Sequence, residues 1–177
     1  GGEVTVFSRL GVIADTHGHA DAWEKALNIW GNIDAILHAG DVLKSNLNTG
    51  LAQCINASSV PVLIAKGNSD FPRDQEELRW PILSPYVTVW WQGRMILVSH
   101  GNNFSQVRKL ALLANADLVV TGHTHIGSLV REGHTFFLNP GSAALPRGRD
   151  PASVAIIEEN EIRIVTLEGQ LLHREEW

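Results

Sequence analysis

Apolar runs of strand length recur along the chain, and each ends in Gly, Asp, Asn, His or another turn-prone residue. The main ones are LGVIAD (10–15), DAILHAGD (34–41), VPVLIAKGN (60–68), YVTVWW (86–91), RMILVSHG (94–101), ADLVVTGH (116–123) and TFFLNPGS (135–142). Their wealth of Val, Ile, Leu and aromatic residues predicts strands buried on at least one face. Between several of them the apolar period lengthens to that of a helix. Over 21–30, Ala22, Trp23, Ala26, Leu27 and Trp30 share one helical face, with Asp21 as the expected N-cap. Over 105–116, Val107, Leu110, Ala111 and Ala114 do the same, with Ser105 as the cap. A third helix is expected over about 46–57.

The second half of the chain changes character. WQGR (91–94) and REGH (131–134) are short Gly-containing links between apolar runs, and SVAIIEENEIRIVTL (153–167) turns near Glu159 and Asn160. These read as hairpins. A β-α-β-α-β half followed by hairpins and one inserted helix predicts an α/β fold: two packed mixed β-sheets flanked by helices, a four-layer α-β-β-α sandwich. No internal repeat or linker divides the sequence, so residues 1–177 are read as one domain. Gly1 and Gly2 are read as a tag remnant, and residues 1–9 as that remnant plus an N-terminal extension.

Composition narrows the function. Fourteen Lys and Arg against 19 Asp and Glu leave a net charge of −5, with no basic stripe. A broad nucleic-acid surface is therefore not expected. The single cysteine, Cys54, forms no internal disulfide and is read as a core residue. No apolar stretch approaches the ~20 residues a membrane helix needs. The expected location is the cytoplasm.

The strand ends carry the chemistry. They deliver Asp15 and His17, then Asp41, Asn68, His100, and finally His123 and His125. In open α/β sheets, ligands bind beyond the carboxyl ends of the strands. Two carboxylates, one amide and four imidazoles, with no thiolate, suit Mn, Fe, Zn, Co or Ni better than Ca²⁺. Seven side chains exceed what one ion needs but fit two ions if one carboxylate bridges them. Two divalent ions and two aspartates would leave a centre of about +2, attractive to an anion and able to acidify water.

These elements occur as DTH (15–17), GD (40–41), GN (67–68), HG (100–101) and GHTH (122–125), with NPGS (139–142) behind them. In this order they resemble the calcineurin-like metallophosphoesterases, specifically the small bacterial and archaeal phosphodiesterase branch. The resemblance runs from residue 10 to about 167. It implies one ion on Asp15, His17, Asp41 and His125 and a second on Asp41, Asn68, His100 and His123, with Asp41 as the bridge. It further implies manganese first among the candidate metals, and hydrolysis of small phosphodiesters by in-line attack of a metal-bound hydroxide. Asp41, Asn68 and His100 are then the expected catalytic residues. Much of the superfamily has His after the Gly-Asn pair, whereas this chain has Ser69 and then Asp70.

Asn68, Ser69, Asp70 and Arg147 are expected to meet substrate, with Asp70 also suited to stabilising its own turn. His38 is read as a buried, hydrogen-bonded residue, and His19, His134 and His173 as solvated. Asn139, Gly141 and Ser142 are expected to shape a turn beside the site. Of Trp90 and Trp91 only one can face inward, and the other would suit a contact in a homo-oligomer. The rival readings are a phosphomonoesterase of the same fold, a protein-binding scaffold like the retromer subunit of this fold, and a repair-type nuclease. The complete ligand set argues against the scaffold, and the acidity and small size argue against the nuclease.

Overall fold

The computed structural model describes residues 8–177, so Gly1, Gly2 and the rest of the first seven residues lie outside it. Strands β1 (Arg9–Ile13), β2 (Ala35–His38), β3 (Val62–Ala65) and β4 (Ile82–Leu83) run parallel. Helix α1 (Ala20–Trp30) connects β1 to β2, α2 (Leu51–Asn56) connects β2 to β3, and α3 (Pro72–Glu77) connects β3 to β4. Strands β10 (Ser153–Glu158), β11 (Glu161–Thr166) and β12 (Leu171–Glu176) extend this sheet antiparallel from β1. The order of the seven-stranded sheet is β12-β11-β10-β1-β2-β3-β4.

The second sheet has five strands in the order β5-β6-β7-β9-β8. The hairpin of β5 (Val87–Trp91) and β6 (Arg94–Val98) leads through α4 (Phe104–Leu113) to β7 (Leu118–Val120), parallel to β6. The hairpin of β8 (Ser128–Glu132) and β9 (Thr135–Asn139) closes it, with β9 parallel to β7. Leu10, Val12 and Leu37 from one sheet interleave with Ile96, Val98, Val120 and Leu138 from the other. This is the central core. Helices α1 and α2 cover the far face of the first sheet, and α4 covers that of the second. Four layers result, as the sequence predicts.

Local residue choice explains the outer layer. Trp23 and Trp30 are fully buried and meet edge to face at 6.3 Å. Trp30 lies over Gly11, where any side chain would collide with the indole, and its Nε1 donates to the Ala155 carbonyl at 3.0 Å. Full burial of one large apolar side chain stabilises the fold by about 1.5–3 kcal/mol.

Several boundaries differ from the sequence reading. The N-cap of helix α1 is His19, two residues before the expected Asp21; Asp21 sits in the first turn, where it complements the helix dipole. Asn103 rather than Ser105 precedes α4. The expected 46–57 helix is only Leu51–Asn56, because the Asn46 amide donates instead to the His17 carbonyl at 3.0 Å and Gly50 is left-handed. Cys54 is half-buried rather than a core residue. Trp91 packs on the core while Trp90 is 68% exposed. Among the described residues no helix is long and apolar enough to cross a membrane.

Candidate metal centre

All seven candidate ligands stand beyond the carboxyl ends of parallel strands. Asp15 and His17 follow β1, Asp41 follows β2, Asn68 follows β3, His100 follows β6, and His123 and His125 follow β7. The backbone there is forced. Asp15, His17, Asp41, His123 and His125 have φ of 52°, 45°, 56°, 73° and 61°. Left-handed backbone costs a non-glycine residue roughly 1–2 kcal/mol, and such strain gathers at functional sites. The loops fold back sharply enough that alternate residues reach one rim.

There the polar atoms converge. Asp41 Oδ2 lies 3.3 Å from His100 Nε2 and 3.7 Å from His17 Nε2. Asp15 Oδ1 lies 3.4 Å from His125 Nε2, 3.9 Å from His17 Nε2 and 4.0 Å from His100 Nε2. His123 Nδ1 is 3.3 Å from His100 Nε2. Two overlapping groups of three have the compactness of an ion site: Asp15, His17 and His125, and Asp15, Asp41 and His100. Asp41 is near the imidazoles of both halves. His123 and Asn68 are exposed at the outer edge. Asn68 is carried by the loop whose next residue, Ser69, donates its N–H to Asp41 Oδ1 at 2.8 Å. Gly67 is required because a Cβ there would run into the Asp41 carboxylate and backbone.

The surrounding hydrogen bonds orient the imidazoles. His100 Nδ1 donates to the Ala39 carbonyl and His125 Nδ1 to the Leu145 carbonyl, both at 2.7 Å, so each ring turns its Nε2 inward. His38, buried as expected, is part of a relay. The Gly40 N–H donates to His38 Nδ1 at 3.0 Å, His38 Nε2 donates to Thr16 Oγ1 at 2.9 Å, and the Thr16 hydroxyl donates to the Val42 carbonyl at 2.8 Å. Burial lowers the His38 pKa to about 3, so the ring is neutral. The relay ties the Asp15–His17 loop to the Asp41 loop.

Asp70, expected to meet substrate or to stabilise its turn, lines the cleft beside Asn68 with its carboxylate engaged by backbone. Its carboxylate is 2% exposed and accepts the Asp41 and Gly67 N–H groups on Oδ2 and the Val42 N–H on Oδ1, at 2.7–2.9 Å. With both oxygens engaged, Asp70 clamps the Asp41 loop to the Asn68 loop. Asn139 braces the last loop, its amide donating to the Gly122 carbonyl and to Thr124 Oγ1 at 3.0 Å. The Ser142 hydroxyl donates to the Asp15 carbonyl at 2.8 Å. Arg147 is exposed beside the rim, and its N–H bonds the His125 carbonyl at 3.0 Å.

The electrostatics call for cations. Burial pushes the pKa of Asp15 up to about 6, with the negative charge of Asp41 adding to it against the pull of His100 and His17. Burial acts the same way on Asp41, but His100, His17 and the Ser69 N–H outweigh it and hold that carboxyl well below the usual range. Burial pulls His100 down, and the Asp41 carboxylate more than restores it. Burial lowers His125. Asp15 Oδ1 and both ring nitrogens of His17 are buried without a hydrogen-bond partner. Such atoms cost about 1–3 kcal/mol each when left unsatisfied. Buried atoms without partners, beside close-set groups of oxygen and nitrogen ligands, fit divalent ions.

Two hollows flank the cluster. One, of about 630 Å³, opens beside Gly67, Asn68 and Ser99. The other, of about 520 Å³, is lined by His17, Gly18, His19, Asn46 and Thr49 among others. Of the larger hollow, sequence reasoning named Asn68 and Asp70 but missed the rest, and it missed Thr16, because no motif links positions so far apart in the chain.

Residues 9–161 match the family model of the calcineurin-like phosphoesterase superfamily domain. The phosphodiesterase YfcE of Escherichia coli is 30% identical over 173 residues, covering 92% of this chain and 94% of its own. The solved structure of the E. coli phosphoesterase YfcE superposes with a TM-score of 0.78 at 24% identity, covering 94% of this chain and 98% of that one. Vps29 of Entamoeba histolytica, solved in complex with Zn²⁺, superposes with a TM-score of 0.71 at 22% identity, covering 95% and 98%. At these identities the structural likeness speaks for the fold.

Proposed function

The chain belongs to the calcineurin-like phosphoesterase superfamily, and on that premise we propose that it is a divalent-metal-dependent phosphodiesterase of small phosphodiesters. The observation that carries this reading is the buried convergence of Asp15, His17, Asp41, His100 and His125, with orphaned lone pairs on Asp15 and His17.

Asp15, His17, Asp41 and His125 are proposed to hold one ion and Asp41, Asn68, His100 and His123 a second, with Asp41 shared. Its position within 3.7 Å of imidazoles from both sets supports that role. The donor set favours manganese, with iron, zinc, nickel or cobalt as alternatives. Bound ions supply positive charge for an anionic phosphodiester and acidify water at neutral pH.

The chain's own residues do the rest. The Ala39 and Leu145 carbonyls accept the Nδ1 protons of His100 and His125, so Nε2 is the ring atom each presents to the centre. The exposed Asn68 amide and His123 ring stand where a phosphate would enter. Ser69 occupies the position after Asn68, and its hydroxyl is a poor proton donor at neutral pH. The leaving oxygen therefore departs without a strong side-chain acid at that position. A phosphodiester with a stable leaving anion suits this site best. A cytoplasmic location and a homo-oligomeric contact near Trp90 belong to the same proposal.

Asp41→Asn and Asn68→Ala are the direct test. Each should cut turnover of an aryl phosphodiester by at least about a thousandfold while leaving the circular dichroism spectrum and unfolding cooperativity intact. Wild-type turnover in either variant would reject the ligand assignment.

A further inference from the structure

The cleft of about 630 Å³ beside Asn68 has a composition that the metal centre does not account for. Its volume lies in the range of small-molecule sites. It extends from the Gly67–Asn68 loop past the link between β4 and β5 to the first turns of α4. Phe71 and Tyr86 line it and are 47% and 38% exposed. Val107 and Leu110 of α4 supply apolar surface. Asn102 brings an amide there, Gln106 brings its Nε2 donor while its Oε1 accepts from Asn103 Nδ2 at 2.7 Å, and Lys66 brings an ammonium. Phe71 and Tyr86 thus offer ring surface inside a concavity continuous with Asn68 rather than on a convex face.

Each group excludes a class of occupant. A lipid chain has no use for the amides and the cation. A simple alkyl ester gains little from the aromatics. A planar heterocycle gains from both, because it stacks on aromatic rings with either face and hydrogen-bonds through its edge. Lys66 lines the cleft and immediately precedes the Gly67–Asn68 loop, so the cleft wall next to that loop carries a cation. That is where a nucleotide carries its phosphate.

Resting on the phosphodiesterase reading above, we propose that this cleft is the subsite for the nucleoside half of a nucleoside phosphodiester. Tyr86 and Phe71 stack the base, Asn102 and Gln106 meet its edge, and Lys66 pairs with the phosphate as it approaches Asn68.

The test uses the manganese-loaded protein and two esters that release the same p-nitrophenolate: thymidine 5′-(p-nitrophenyl phosphate) and methyl p-nitrophenyl phosphate. Base stacking on one aromatic ring is worth roughly a tenfold gain. The thymidine ester should show a kcat/KM at least about tenfold higher than the methyl ester, carried by KM. Tyr86→Ala should collapse that ratio toward one, and Tyr86→Phe should keep it. Calorimetric titration should show thymidine 5′-monophosphate binding about tenfold tighter than methyl phosphate, with the advantage lost in Tyr86→Ala. Equal kcat/KM for the two esters in the wild type, or a ratio unaltered by Tyr86→Ala, would overturn the subsite. Failure to hydrolyse either ester would instead reject the phosphodiesterase reading.

Discussion

Replacing Thr16 by Val tests whether the relay through His38 holds the two aspartate loops together. The substitution keeps the side-chain shape and removes only the hydroxyl. That hydroxyl accepts from His38 Nε2 at 2.9 Å and donates to the Val42 carbonyl at 2.8 Å, with Thr16 and His38 both fully buried. His38 cannot compensate by moving its proton, because Nδ1 must stay free to accept the Gly40 N–H. Two buried groups therefore lose their partners at once. At about 1–3 kcal/mol for each unsatisfied group, and with partial relaxation, the loss should be about 2–4 kcal/mol. For a chain of 177 residues, each kcal/mol lowers Tm by roughly 2–4 °C, so a fall of about 4–16 °C is expected. Urea unfolding of the metal-free protein gives the free energy, and a manganese titration gives the weakening of ion binding once Asp15 and Asp41 are no longer held in register. A stability change below about 0.5 kcal/mol, with unaltered manganese affinity, would refute the relay.

Asp15 makes a second prediction, about pH. Its pKa in the folded chain, about 6, lies above its unfolded value of 3.8, so the folded state holds that proton more tightly. The associated stability is present below pH 4 and is lost as pH rises through 6. Metal-free Asp15→Asn should therefore exceed wild type in urea-unfolding stability by about 2–3 kcal/mol at pH 7.5, with the advantage gone by pH 4, and should lose it again at saturating manganese. Isothermal titration should find wild-type manganese affinity dropping as pH falls below about 6, since the ion must displace that proton. With Ser69 after Asn68, a leaving-group series of phosphodiesters should show steep acceleration from alkyl to aryl alcohols; equal rates across the series would mean that an efficient proton donor exists elsewhere in the site.

Much of this molecule was legible in its sequence because its strands are short, apolar and ended by the residues that do chemistry. The period change at 21–30 gave α1 with only the cap displaced. The burial of both sheet faces leaves long apolar runs, which is why β1, β2, β3 and β7 stand out. Strand β12 did not, since its LLHREE carries four charged or ionisable residues on an exposed sheet edge. Helix α3 is six residues long and rests on Asp74, whose carboxylate accepts the Phe71 and Ser45 N–H groups at 2.7–2.8 Å. No periodicity reveals a turn so short. The site divides the same way. Residues that converge by ending parallel strands were found from order and type alone. Thr16, and the reach of Asp70 back to Asp41 and Val42, depend on contacts across 26 to 29 residues, which spacing does not encode.

The claim on which the rest depends is that Asp41 is shared by two ions. Anomalous diffraction at the manganese edge, on crystals of the manganese-loaded protein, measures it directly. Two peaks ~3.5–4 Å apart are expected, one against Asp15, His17 and His125, the other against Asn68, His100 and His123, with Asp41 touching both. A single peak, or ions bound away from Asp41, would contradict it.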